Sequence, residues 1–172
     1  MNTKISKDLF DKLTSNKHIS YTVGSTLHNN RKQNSDTDYV LVLSDNDLVE
    51  DITYQYNNGT DDFIIVNESR FNRCREDGSD IVFFEADPIK PNKNIIRAYL
   101  GLAKRDWKEY IKTGNKKKKY HAIRCYCIAS SLYKHGKPQL DYNAYIAEIE
   151  TSNLKDCDLP DMYNSLRRKL NE

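Results

Sequence analysis

"TVGSTLHNNRKQNSDTDYVLVL", residues 22–43, decides the fold. Both ends read as strand. Ile19 to Val23 leads in, and Tyr39 to Leu43, nearly all apolar, leads out as a central strand of a buried sheet. Between them lie a Gly24-Ser25 turn and a polar run ending in Asp36-Thr37-Asp38. Residues two apart on a strand face the same side, so Asp36 and Asp38 present both carboxylates to one spot if the strand extends back to them. Adjacent carboxylates repel unless a cation sits between them. The chemistry that suits such a pair is phosphoryl transfer, in which hard oxygen ligands hold Mg²⁺ and Mg²⁺ holds the phosphates. Gly24 permits a tight turn with exposed backbone N–H groups, and Ser25 adds a hydroxyl, so together they suit a terminal phosphate. Each motif alone also reads as an ordinary polar loop; it is their coincidence with flanking strands that marks a site.

Outward from this segment, residues 6–16 read as a short helix with Leu9, Phe10 and Leu13 as its apolar stripe. Asn57-Asn58-Gly59 is a turn, and Asp62 to Val66 a third strand with Asp61 and Asp62 at its start. Residues 68–77 suggest a short helix closed by Gly78. Asp80 to Glu85 is then expected as a fourth strand, with Asp80 supplying a third carboxylate. Pro88 and Pro91 mark a boundary. Beyond it the patterning predicts helices over 93–111, 116–134, 141–150 and 160–170. The expected class is α+β: a small mixed sheet with flanking helices over residues 1–90, followed by a helical domain over 91–172.

At 172 residues the chain is long enough to bury a core. A mean hydropathy of -0.82 is polar, yet 12 tyrosines argue against disorder. A net charge of +2 does not by itself argue for nucleic acid. Locally, Lys116 to Lys119 form a compact positive block, while residues 45–62 are acidic and polar. No apolar run reaches the roughly 18 residues of a membrane span, and the N-terminus lacks an apolar signal core. A cytoplasmic location without membrane association is the expectation. Cys125-x-Cys127 is too tight for the usual zinc spacing and Cys74 and Cys157 are isolated, so all four cysteines read as free thiols.

Gly24-Ser25, Ser35-Asp36-Thr37-Asp38 and the strand that follows resemble the signature of the DNA polymerase beta-like nucleotidyltransferase superfamily. The interval from Ser25 to Asp36 matches its predicted bacterial and phage branches. Lys119-Tyr120-His121-x-x-Arg124 with Gly136-x-Pro138 resembles the helical half of the larger of those groups. The resemblance implies a nucleoside triphosphate at Gly24 and Ser25, and Mg²⁺ or Mn²⁺ on Asp36, Asp38 and Asp80. It further implies transfer of a nucleoside monophosphate to a hydroxyl acceptor, with tRNA or other RNA first among polymers. Arg124 and Lys119 are the cations expected to meet phosphate, and His28 the loop residue expected to touch substrate. Members often carry a second glycine where Asn29 stands, and the following Asn30, Arg31 and Lys32 are bulky and basic. That departure motivates the alternative: a module that kept the fold without efficient catalysis and binds RNA, a nucleotide signal or a partner protein, in a phage or toxin–antitoxin setting. Lys116 to Lys118 read as a solvated turn, His121 as a packed, hydrogen-bonded helix residue, and Arg167-Arg168-Lys169 as a favourable helix end.

Overall fold

The computed structural model describes residues 2–24, 36–138 and 158–171. The chain divides into two compact units, Met1–Ile89 and Lys90–Glu172. The first is a mixed five-stranded sheet with helices and the second is helical, so the class is α+β with a helical C-terminal region.

In the first unit β1 is Asn2–Lys4, α1 Lys7–Thr14, β2 His18–Val23, β3 Thr37–Leu43, β4 Thr53–Asn57 and β5 Asp61–Asn67, followed by α2 Glu68–Asp77 and α3 Ile81–Ala86. The strand order is β1-β4-β5-β3-β2. β3 runs parallel to β5 and antiparallel to β2; β4 runs parallel to β1 and antiparallel to β5. The apolar run of β3 is explained by its place: it is flanked on both sides and covered on both faces. On one face Leu41, Leu43 and Ile65 bury against Leu13 and Phe10 of α1. On the other, Val23, Val40, Val42 and Val66 bury against Phe71 and Cys74 of α2 and Phe83 of α3.

Residues 80–85 do not form a strand. Asp80 is the N-cap of α3, its side chain accepting from the Val82 N–H at 3.2 Å. A short unbroken apolar run such as Ile81-Val82-Phe83-Phe84 has no periodicity to separate a buried strand from a buried helical turn. The aspartate before it, a strong N-cap residue, is the signal that tips the balance toward helix. Two strands, β1 and β4, were not expected.

In the second unit α4 is Lys93–Thr113, α5 Lys116–His135 and α6 Asp158–Asn171. The turn between α4 and α5 is Gly114-Asn115. Gly114 ends α4 at φ +69°, a left-handed conformation that glycine adopts without strain, and the Asn115 side chain caps α5. Ile95, Tyr99, Leu100 and Ala103 of α4 and Ile123, Ile128 and Leu132 of α5 are buried, as are Leu159, Tyr163, Leu166 and Leu170 of α6. The helix expected over 141–150 lies outside the described residues. No helix of the described residues is long and apolar enough to cross a membrane.

Candidate active site

β3 and β5 open with one pattern. Asp38-Tyr39-Val40-Leu41-Val42 on β3 corresponds residue for residue to Asp62-Phe63-Ile64-Ile65-Val66 on β5, and the parallel register pairs them in that order. Asp38 therefore stands opposite Asp62 on the neighbouring strand. Registered neighbours share a face at about 4.8 Å strand spacing, so two carboxylates are brought together by β-sheet geometry alone. Val23 pairs with Asp38 on the other side, and Asn57 pairs with Asp62, which completes one row across four strands.

Gly24 follows directly on that row. Its φ is +67°, and a Cβ built there would overlap the Asp38 carboxylate, with the carboxyl carbon at 3.0 Å. Both the backbone angle and the space require glycine. This is the reason, absent from the sequence, for a glycine ahead of the polar loop. Asp62 is fixed from its other side: the Asn57 Nδ2 donates to Oδ1 at 2.6 Å. The Asn57–Asp61 turn is itself held by side chains, with Asn57 Oδ1 accepting from Gly59 N–H at 2.6 Å and Asn58 Oδ1 from Asp61 N–H at 2.8 Å. No salt bridge among the described residues reaches Asp62.

From the two aspartates a groove of about 590 Å³ extends toward β1, its lining including Gln55, Asn57, Ile64 and Lys4. That volume lies within the range of small-molecule sites, ~300–1,000 Å³. Lys4, Gln55 and Ile64 form the register row next to Asn57, Asp62 and Asp38, two residues further along the strands and on the same face.

Of the residues expected from sequence, Asp38 and Gly24 are in contact. Asp36 is exposed, just ahead of β3 rather than on it. Ser25 and His28 lie outside the described residues, as do Asn29 and the basic loop. Asp80 is not on the sheet and is not in the Asp38–Asp62 row. It is half-buried; burial raises its carboxyl pKa, against the Val82 N–H and the positive charge of Arg70. Its side chain serves the helix. Lys119 and Arg124 lie on α5. The Lys119 Nζ sits 5.0 Å from the Tyr110 ring centre and 5.8 Å from that of Trp107, a cation–π arrangement, and Arg124 is half-buried. Asp62 is the residue sequence reasoning passed over, although the repeated Asp-aromatic-aliphatic pattern was there to read.

A second polar cluster lies within the helical unit. Asp106 is 1% exposed on the inner face of α4. Burial would raise its pKa, but the Arg105 guanidinium and His121 outweigh it and hold the carboxyl below its ordinary value. Arg105 Nε lies 2.8 Å from Oδ1 and His121 Nδ1 2.5 Å from Oδ2; Lys118 Nζ reaches Oδ1 at 3.5 Å and Glu109 at 3.2 Å. Cys125 Sγ is 3.8 and 3.9 Å from the two ring nitrogens of His121. Near-equal distances leave the sulfur in line with neither ring N–H. Cys74, Cys125 and Cys127 are buried thiols; Cys157 lies outside the described residues.

No family model matches the sequence, and no curated protein does. Among solved structures, this chain is similar to a nucleotidyltransferase-like protein from Exiguobacterium sibiricum. Identity is 12% and the TM-score 0.35, over 94% of this chain and 71% of that one.

Proposed function

We propose that the first unit is the catalytic domain of a nucleotidyltransferase, moving a nucleoside monophosphate from a nucleoside triphosphate to a hydroxyl. The observation that carries this is the Asp38–Asp62 pair, in register on parallel strands, with Gly24 pressed against Asp38 and a groove leading away. The proposal replaces Asp80 with Asp62 and keeps Asp36, two residues ahead of Asp38, as a further donor.

The donor set fits a hard divalent cation such as Mg²⁺ or Mn²⁺, which takes carboxylate oxygens. Among the described residues no group of three or more His, Cys, Asp or Glu side chains is gathered to hold a metal. Asp38 and Asp62, with Asp36 as a further donor, are the residues that would hold it. The ion would supply neutralisation of phosphate charge during transfer. The chain's own residues do the rest. Asn57 fixes the rotamer of Asp62 through Oδ1. The groove orients the acceptor. As the acceptor oxygen bonds to the α-phosphorus, pyrophosphate leaves and the hydroxyl proton passes to a carboxylate of the pair. Gly24 lets its own backbone lie against Asp38, where a side chain would push it away.

The test is transfer of label from each of four α-³²P nucleoside triphosphates, with Mg²⁺ or Mn²⁺, to total RNA, to protein extract and to small hydroxyl compounds. Wild type is compared with Asp38→Ala and Asp62→Asn. Transfer by wild type alone is expected. Transfer that persists in both variants would assign it to another site. No transfer from any triphosphate to any pool would leave the non-catalytic module in its place.

A further inference from the structure

Charge in this chain is segregated. Between residues 90 and 138 there are fourteen lysines and arginines against two carboxylates, Asp106 and Glu109. Both carboxylates are already engaged, Asp106 by Arg105, His121 and Lys118, and Glu109 by Lys118. The surplus collects at one end of the α4–α5 hairpin. Lys104, Lys108 and Lys112 follow at i, i+4 and i+8, about 6 Å apart along α4, and are exposed. Across the Gly114-Asn115 turn, Lys116 and Lys117 open α5, also exposed. Lys118 and Lys119 fold back onto α4, one onto Glu109, the other over Tyr110 and Trp107. Lys108, Lys112, Lys116 and Lys117 make no salt bridge among the described residues. Beside them Ile111 is 57% exposed and Tyr120 37%.

Helix physics runs against this placement. The first turn of a helix carries the positive end of its dipole and favours acidic residues. The first turn of α5 holds no acidic residue and three lysines. Lys116 and Lys117 break this rule without local compensation, which points to a role outside the fold. We propose that the α4–α5 turn is a nucleic-acid-binding surface, in which Lys108, Lys112, Lys116 and Lys117 contact the phosphate backbone. Closely spaced cations with an exposed aromatic ring beside them suit a polynucleotide, RNA or DNA, where phosphates recur and bases offer faces to stack on. The inference stands on the helical unit alone and does not depend on the carboxylate pair.

The test is binding of the full chain to fluorescein-labelled RNA and DNA oligonucleotides of roughly 20 nucleotides, longer than most single-strand sites. Affinity is read by anisotropy between about 50 and 300 mM salt. One variant carries Lys112→Gln, Lys116→Gln and Lys117→Gln. A control of equal charge carries Lys93→Gln, Lys134→Gln and Lys137→Gln, at the opposite end of the hairpin. The first is expected to lose about tenfold or more in affinity and to flatten the salt slope by roughly two, and the control to change little. The melting temperature of the first should hold or rise, since cations leave the positive end of α5. Relative affinity for the two polymers assigns RNA or DNA. Absence of binding to either, or equal losses in both variants, overturns the proposal. So does binding to phosphatidylserine vesicles without binding to nucleic acid.

Discussion

Asp106 and Asp62, one carboxylate from each unit, are treated in opposite ways. In the helical unit Asp106 is wrapped by Arg105, His121 and Lys118, and its charge is met inside the fold. In the sheet unit Asp62 is held by a neutral amide, Asn57, and is set beside another aspartate by strand register. The first arrangement is what a carboxylate needs to stabilise a core. The second pays a repulsion that folding alone does not require. The contrast separates structural from functional acids without reference to any relative, and it can be broken at several points.

The largest expected effect is on transfer. Removing a group that merely supports a metal ligand costs 10–100-fold, so Asp62→Asn and Asp38→Asn should each lower the rate by more than about 100-fold. Asp62→Asn should not lower the melting temperature, because it relieves repulsion within the pair and keeps an acceptor for Asn57. Loss of fold in this variant would mean that the pair is structural after all.

Asp106→Ala should do the reverse, destabilising the protein by about 1–3 kcal/mol, since half-buried His121 and Lys118 lose their common acceptor. Urea unfolding followed by fluorescence reads the change. The sign of its pH dependence follows from the lowered carboxyl pKa. The stability it contributes is present above the unfolded-state value near 3.9 and is lost as pH falls through the lower folded-state value. Wild type should therefore lose stability in acid that the variant does not have to lose. Parallel curves for the two proteins would refute the assignment.

Gly24→Ala combines a left-handed backbone with overlap at Asp38, and should cost about 1–3 kcal/mol together with much of the transfer activity. Thermal melts and the labelling assay report the two parts. If stability falls while transfer is untouched, the glycine serves the turn only.

Asp80→Asn should have the smallest effect. Asparagine caps a helix about as well as aspartate, so stability near neutral pH should move by less than about 1 kcal/mol. The direction should be upward. Burial raises the Asp80 pKa, so its charged form weakens folding above the folded-state value and the penalty fades as pH falls below the unfolded-state one. Transfer should survive. An inactive Asp80→Asn would return that residue to the site in place of Asp62.

Much of the sheet was legible. β2, β3 and β5 carry β-branched and aliphatic residues bounded by turn signals, and in β3 burial on both faces enforces that composition. β1 and β4 were not. Asn2-Thr3-Lys4 is too short and polar to show a period. In Thr53-Tyr-Gln-Tyr-Asn two tyrosines alternate with polar residues over only five positions, without the aliphatic residues that mark the other strands. At the site, Gly24 and Asp38 were readable as residue types, but their contact depends on register that no local pattern encodes. The strand expected over residues 80–85 misled because an aspartate ahead of an apolar run stands equally at the start of a strand and at the cap of a helix. His121 was readable as a packed residue, and its partner Asp106 carried a signal too, as an acid on the inner stripe of an amphipathic helix.

The order in which strands meet has a kinetic side. Asn2 pairs with Thr53 and Thr37 with Asp61, so the sheet cannot close until distant stretches of chain have found each other. α4 and α5 are joined by two residues and pack on near neighbours in sequence. Local pairings form faster than long-range ones. The only tryptophan, Trp107, lies on α4 and so reports on the fast unit alone. In a stopped-flow refolding experiment its emission should settle before the far-ultraviolet signal that includes the sheet. A single shared rate would mean that the helices wait for the strands.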